Sequence, residues 1–411
     1  MTSLTKKSQR TASQAQLNMN QIACLFLYAY LAASTLIAIP WVPNALNTIA
    51  LYGFVAVGLV EILLVKRRVI LSVHTLWYAL FCVVCLCSSL YSTNMDIPIA
   101  TTLEMVKILA FAFVAANILN SQKKIEICMA TYSMATIVLY AYLGLTGQLV
   151  LEAEERLGQD LMGNANAFAS VFMVAALFSV YFIFFAKRKI IKLGFLAVFC
   201  MQLHALALSG GRKNFILPLL MLCAMKLIST DKKGRKHLVR NGLIVVLILI
   251  VAVYAVFNVE SLYNSIGYRM EGLISMVTGE GEVDASSDIR ANMVQDALQL
   301  WRERPLFGNG INMFQKLSAY RTYSHNNYAE LLCGLGVFGL IIYYAFYAIG
   351  LYKIFAQRHR GGYRWYWLLS LLCLLAFDLG SITYNMFMVQ FLLVVCLIDT
   401  ANKNKELERN I

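Results

Sequence analysis

Val259 to Leu332 reads VESLYNSIGYRMEGLISMVTGEGEVDASSDIRANMVQDALQLWRERPLFGNGINMFQKLSAYRTYSHNNYAELL, the only long polar interruption in a chain otherwise built of hydrophobic runs. It closes on Ser324-His325-Asn326-Asn327-Tyr328, where the next apolar run begins. The runs on either side are about 20 residues long, the length a helix needs to cross a hydrocarbon core. In lipid the backbone must satisfy itself, and runs of this length do so as helices. The expected fold is all-α, a polytopic membrane helix bundle of about 12 transmembrane helices. It forms a single integral membrane domain over residues 1–411. One long external loop, 259–325, contains short helices and carries the residues able to do chemistry.

Composition supports this reading. Hydrophobic residues make up 60% of the chain and the mean hydropathy is +0.65, above the apolar share of a soluble domain. The net charge of +13 would suggest nucleic acid in a soluble protein. Here the positive-inside rule accounts for it. With the N-terminus in the cytoplasm, the cytoplasmic segments collect 24 of the 35 Lys and Arg, and the external ones nine, six of them in the long loop. The basic stops include Lys66-Arg67-Arg68, Lys187-Arg188-Lys189 and Lys232-Lys233-Gly234-Arg235-Lys236. No nucleic-acid partner is expected; the bilayer is. All ten cysteines fall inside apolar runs, where neither a disulfide framework nor a zinc knuckle forms. No small-residue cleavage site follows the first apolar run, which reads as a retained span. There is no sustained repeat and no candidate for a second, soluble domain.

Several chemistries lack their motifs. There is no Gly-rich Walker loop, no His-Glu-x-x-His and no Gly-x-Ser-x-Gly, so nucleotide hydrolysis, zinc peptidase and α/β-hydrolase chemistry are not indicated. Neither a cofactor nor a metal is expected. The acidic groups Glu152/Glu154/Glu155 and Glu280/Glu282 could recruit a cation, but solvated loops carry such clusters routinely.

What remains is a set of cations and one histidine on the external side. Arg212 follows Gly210-Gly211 and begins an apolar run. Glycines, a helix N-terminus and a guanidinium together suit a phosphate; the bland alternative is that Arg212 and Lys213 snorkel to the interface. Arg290 lies on an amphipathic helix that Ser286 or Ser287 can cap, with Ile289, Met293, Ala297, Leu300 and Trp301 near one face. A surface salt bridge with Asp284 or Asp288 is the competing role. Arg269, after Gly267-Tyr268, is a weaker candidate of the same type. Pro305 to Gly310 stops the helix. His325 follows Ser324, an expected N-cap, and would sit in the first helical turn. The positive helix end and partial burial keep such an imidazole neutral and able to accept a proton. Asn326 and Asn327 can orient it or bind sugar hydroxyls. Two arginines on a lipid-linked diphosphate and a histidine on an acceptor hydroxyl would suffice for transfer, since cations stabilise the charge of the leaving diphosphate. A transporter of similar span number is the alternative from another class, although its ionisable residues would sit near the midplane. Glu104 and Lys107 are the main intramembrane candidates, at a spacing where they can pair.

These residues resemble the O-antigen ligase and polymerase superfamily. Arg290 to Phe314 is similar to its Arg-led helix ending in Pro-Leu-x-Gly-x-Gly. Ser324 to Gly339 is similar to its His-Asn followed by Leu-Gly-x-x-Gly. Leu208-Ser209-Gly210-Gly211-Arg212 resembles its Ser/Thr-Gly-Ser-Arg segment, and Gly163 to Ala169 its Asn-containing segment. Gly211 stands where a serine is usual and Lys213 where a small residue is common. The resemblance implies a GT-C-like, metal-independent, inverting membrane glycosyltransferase of the bacterial cytoplasmic membrane. It would take a glycan from undecaprenyl diphosphate to an acceptor hydroxyl at the external face. On this reading His325 is the catalytic base, and Arg212 and Arg290 bind the diphosphate, with Arg269 as a further candidate. Asn164, Asn166, Asn326 and Asn327 are the glycan-contact candidates. The acceptor separates a polymerase, extending cell-surface polysaccharide, from a ligase acting on lipid A core or protein. Nothing in the chain indicates a lipid A or protein partner, which favours the polymerase.

Overall fold

The computed structural model of the protein describes residues 2–151, 155–228, 235–278, 285–356 and 361–408. Among these residues every regular element is a helix. In chain order they are α1 (Thr2–Leu36), α2 (Asn44–Val60), α3 (Val73–Cys87), α4 (Asp96–Ile118), α5 (Gln122–Leu145) and α6 (Gln159–Met162). Then come α7 (Ala165–Phe185), α8 (Lys189–Leu208), α9 (Arg212–Ile228), α10 (Arg235–Asn258), α11 (Glu260–Leu262) and α12 (Tyr268–Thr278). The remainder are α13 (Ala285–Glu303), α14 (Phe314–Leu317), α15 (Asn327–Ala356), α16 (Gly361–Phe377) and α17 (Phe387–Glu408).

Among the described residues nine helices are long and apolar enough to cross a membrane: α1 from Met19, α2 with its π-helical continuation to Lys66, α3 to Leu90, α4, α5, α7, α8, α10 from His237, and α15. The protein is therefore an all-helical, multi-pass membrane protein. The three other expected spans are also helical but shorter: α9 has 17 residues, and the apolar parts of α16 and α17 run Tyr363–Phe377 and Phe387–Ile398. Burial orders the bundle. Of α7's apolar window 72% is enclosed, against 17% for α10. α7 packs on α8, α9 and α5, and α16 closes over α9; α10 lies at the edge. Glu104 and Lys107 pair at 2.6 Å on an exposed face of α4. The ten cysteines are free thiols, eight of them buried.

One local feature positions the site. The turn Pro305–Gly310 docks into a break in α15. Gly336 has φ +64 there, a conformation favoured by glycine. Val337 N–H and Phe338 N–H donate to the carbonyls of Pro305 and Leu306 (2.9 and 3.2 Å), and Asn309 N–H and Gly310 N–H donate to those of Cys333 and Gly334 (2.9 and 2.7 Å). A Cβ on Gly336 would lie 2.3 Å from the Leu306 carbonyl carbon, and one on Gly308 2.5 Å from that of Gly334. The two backbones approach closely only because both positions are glycine. Sequence periodicity predicts one uninterrupted span here; the break is the correction. The loop between α13 and α15 is thereby fixed at both ends.

The buried face of α13 differs in part from expectation. Met293, Ala297 and Leu300 pack on Phe314, Tyr320, Ala329 and Cys333. Ile289 stays 47% exposed. Trp301 turns back to donate from Nε1 to the Pro305 carbonyl at 3.0 Å.

Candidate active site

A cavity of about 600 Å³ opens between the start of α9, the helices α12 and α13, the segment before α15 and the turn after α16. Arg212, Arg269, Arg290, His325 and Asn166 all line it. Five residues spread over some 160 positions of sequence thus meet in one place. Arg156 and Lys213 line it as well.

The α8–α9 turn brings in the first cations. Gly210 has φ +65, and α9 begins at Arg212, so the guanidinium stands at a helix N-terminus. Its terminal nitrogens donate to the Arg269 carbonyl at 2.8 Å and to the Ser287 hydroxyl, tying α12 and α13 to the bundle. Ser287 lies within α13 and receives Arg212; it does not cap the helix as expected. Lys213 donates from Nζ to the Ser381 hydroxyl at 2.6 Å and sits 4.7 Å from the Phe377 ring centroid. Both side chains turn into the protein rather than snorkel. Arg290 faces the cavity from the first half of α13, beside Ala291 and Val294.

His325 does not lie in the first turn of α15. It precedes the helix, in a left-handed conformation with φ +56, which is costly for a residue with a Cβ. Neighbouring contacts hold it there. Ser324 N–H donates to Glu330 Oε2 at 2.9 Å, and its hydroxyl to the Asn326 carbonyl at 3.0 Å. Asn326 is the true cap, since its Oδ1 accepts from Ala329 N–H at 3.0 Å. The imidazole lies against Tyr323, with ring centroids 4.4 Å apart, and forms no hydrogen bond among the described residues. Burial, then the positive charges of Arg290 and Lys213, lower its pKa to about 4. The ring is therefore neutral at physiological pH, with its nitrogens unblocked.

A second layer of residues fastens this segment, and sequence reasoning missed it. Asp378, fully buried in the turn after α16, accepts from the hydroxyls of Thr383 (2.5 Å) and Tyr344 (2.8 Å) and from Asn327 Nδ2 (3.4 Å). Its carbonyl accepts from Asn327 N–H at 2.8 Å. Burial raises its carboxyl to about 7, opposed by the Thr383 and Tyr344 hydroxyls and by Lys213.

The expected glycan contacts divide. Asn166 lines the cavity and accepts from Arg156 at 3.1 Å. Asn164 lies outside the lining; it caps α7 through Asn166 N–H (2.9 Å) and donates to the Tyr323 hydroxyl at 3.2 Å. Asn326 spends its oxygen on the cap and its Nδ2 on the Leu379 carbonyl at 3.3 Å. Asn327 is fully buried, and its oxygen accepts from Thr383 N–H at 3.0 Å. Asn164, Asn326 and Asn327 thus each fasten the fold through their amides.

Arg156 had one signal in the sequence: a lone base after an acidic run, on the side where bases are scarce. Its Nε donates to the Ser209 carbonyl at 2.9 Å. Burial and the neighbouring charges of Arg269 and Arg290 lower its pKa. Of the acidic candidates for a cation, Glu152, Glu154, Glu280 and Glu282 lie outside the described residues, as does Asp284. Among the described residues no group of three or more His, Cys, Asp or Glu is placed to hold a metal ion.

Chemically, the cavity offers several cations, a helix N-terminus and a neutral imidazole. That combination suits an anionic leaving group and a hydroxyl nucleophile. A comparison with curated proteins gives no match. Residues 161–344 match the family described as O-antigen ligase, and the matched stretch holds Arg212, Arg269, Arg290 and His325. Over residues 161–344 the chain is thus similar to the O-antigen ligase family.

Proposed function

We propose that the protein is a membrane glycosyltransferase that moves a glycan from undecaprenyl diphosphate to an acceptor hydroxyl during synthesis of a cell-surface polysaccharide such as capsule, O-antigen or exopolysaccharide. The observation that carries this reading is the meeting of Arg212, Arg290 and His325, from three separate segments, at one cavity. The donor's anomeric carbon lies between the diphosphate and the incoming hydroxyl. The acceptor oxygen forms a bond to that carbon as the bond from carbon to phosphate oxygen breaks. The hydroxyl proton passes to a nitrogen of His325, and the electron pair leaves on the lipid diphosphate. Attack from the face opposite the leaving group inverts the anomeric centre. Arg212 and Arg290 meet the charge that develops on the leaving oxygen, so the step is assigned no metal, nucleotide or other cofactor. Asn166, which lines the cavity, is the glycan contact favoured among the four asparagines. The family's GT-C-like architecture and about twelve spans belong to the same proposal.

The distribution of Lys and Arg supports a site at the external face, and the membrane proposed for it is the bacterial cytoplasmic membrane. Polymerase is the preferred role, with ligation to lipid A core or another acceptor as the alternative. The test is purified protein in a bilayer disc, given lipid-linked repeat units and a chelator, with no nucleotide. A ladder of lipid-linked oligomers is expected. Product only on an added lipid A core acceptor would make it a ligase. Rescue of lost activity by magnesium or manganese would remove metal independence. No transfer under any condition would return the transporter reading.

A further inference from the structure

Glu330 takes no part in the transfer step and does not line the cavity. Its carboxyl is nevertheless fully buried in the first turn of α15. Burying a carboxyl is costly unless its oxygens are met, and inside a membrane bundle an ionisable side chain is a functional candidate by default. Oε2 accepts from Ser324 N–H at 2.9 Å. Oε1 accepts no hydrogen bond among the described residues. The carboxyl is thus committed through one oxygen to one backbone N–H, that of the residue before His325.

That bond bears on the backbone of His325. The histidine lies outside the helix with φ +56, and a residue with a Cβ keeps a left-handed conformation only where its surroundings impose it. Both its neighbours are fixed. On the C-terminal side Asn326 caps α15 through Ala329 N–H at 3.0 Å. On the N-terminal side Glu330 reaches back past the cap to Ser324 N–H, and the Ser324 hydroxyl donates to the Asn326 carbonyl at 3.0 Å. The two bonds close a loop over His325. In a capping box a first-turn side chain bonds the N–H of the cap residue itself; here the bonded N–H lies two residues earlier, and the histidine is enclosed between.

The same short helix carries the other side of the site. It runs from Asn327 to the break at Gly336. Met293 and Ala297 of α13 pack on its Ala329 and Cys333, and the turn after α13 donates from Asn309 N–H and Gly310 N–H to its Cys333 and Gly334 carbonyls (2.9 and 2.7 Å). Arg290 stands on α13 one turn before Met293. Arginine and histidine are therefore both referred to one rigid piece, Arg290 through the packing of α13 and His325 through Glu330. We propose that Glu330 is a positioning residue, which holds His325 in its left-handed conformation and so sets the imidazole relative to Arg290. The role rests on the reading of His325 as the base. What it requires is an acceptor oxygen rather than a negative charge, because the group it bonds is one neutral N–H. A glutamine supplies such an oxygen and a leucine does not.

The experiment compares full-length wild type, Glu330→Gln and Glu330→Leu in bilayer discs. It records affinity for the lipid-linked donor, single-turnover transfer by the donor-bound protein, and the rate at which diethyl pyrocarbonate modifies His325, followed by mass spectrometry of its peptide. The last readout needs no substrate. Glu330→Leu should bind donor as wild type does while transfer falls about a hundredfold, the cost of misplacing a reacting group by roughly 1 Å. His325, released from its packing on Tyr323, should be modified several-fold faster. Glu330→Gln should match wild type in every readout. A role confined to stability would lower the yield of folded Glu330→Leu but leave its transfer per donor-bound molecule and its His325 reactivity unchanged. That result would overturn the proposal, as would equal loss of transfer in both variants. If Glu330→Leu does not fold, Glu330→Met removes the same acceptor with an unbranched side chain. The Gln variant also decides alone, since slow transfer or altered His325 reactivity in it contradicts the clamp. If wild type transfers nothing, the donor reading falls, and His325 reactivity still decides whether Glu330 holds the histidine.

Discussion

At pH 5 an ordinary histidine, with a pKa of about 6.5, is only roughly 3% neutral. His325 should behave otherwise, because burial and the cations Arg290 and Lys213 hold its pKa at about 4. At pH 5 it would be roughly 90% neutral and still able to take a proton. The pH dependence of kcat/KM reports the free enzyme. Its acid limb should therefore lie near pH 4, and kcat/KM at pH 5 should stay within about twofold of its value at pH 7.5, where an unperturbed base would lose about thirtyfold. The sign of each perturbation follows. Lys213→Met removes a positive charge that disfavours imidazolium, so the limb moves to higher pH. Bound donor brings negative charge into the cavity, so the limb of kcat lies above that of kcat/KM. The assay is initial transfer rate at limiting lipid-linked donor, from pH 4 to 8 at constant ionic strength. A limb near 6.5 in kcat/KM, unmoved by Lys213→Met, would refute the placement of His325 among these cations.

Three further outcomes are expected. Arg212→Lys keeps the charge but loses the fork that reaches both the Arg269 carbonyl and Ser287, so transfer should fall about a hundredfold, roughly 3 kcal/mol; near-normal transfer would remove it from the site. Gly336→Ala should abolish the monodisperse protein seen in fluorescence-detected size exclusion, because its Cβ would sit 2.3 Å from the Leu306 carbonyl carbon at a φ of +64, whereas normal yield would show that the docked turn is dispensable. Asp378 has a folded pKa of about 7, above its ordinary 3.8, so its contribution to stability is full below pH 3.8 and lost as pH rises through 7. Thermal unfolding in detergent at pH 5.5 and 8.5 should therefore show a larger drop for wild type than for Asp378→Asn, and parallel behaviour would contradict the buried network.

The membrane bundle was legible because apolar runs near 20 residues leave the backbone few options. Arg212, Arg290 and His325, which line one cavity, stood out as candidates because charge on the sparsely basic side contrasts with apolar neighbours. What stayed hidden is what packing creates. Gly336 sits in an apolar run and reads as an unbroken helix; only the docked Pro305–Gly310 turn makes its positive φ necessary. Asp378 lies at the end of α16, and its partners Asn327, Tyr344 and Thr383 come from two other segments. Arg156 follows acids that suggest a solvated loop, and reaches the cavity because Ser209 and Asn166 hold it. The helix start was misplaced for a smaller reason: Asn326 rather than Ser324 supplies the cap, leaving His325 outside the helix. Asn327 had the right chemistry for a sugar, but its amide is committed to the α16–α17 turn.

The central claim is a division of labour, with arginines on the leaving group and a histidine on the acceptor. The direct measurement is donor affinity and single-turnover transfer, recorded separately for His325→Ala and Arg290→Ala in folded protein. His325→Ala should bind the lipid-linked donor as wild type does while transfer falls by roughly 10²–10⁴-fold; Arg290→Ala should lose both donor affinity and transfer. If His325→Ala instead lost donor binding yet turned over bound donor at the wild-type rate, the histidine would be a binding residue and the account would be wrong.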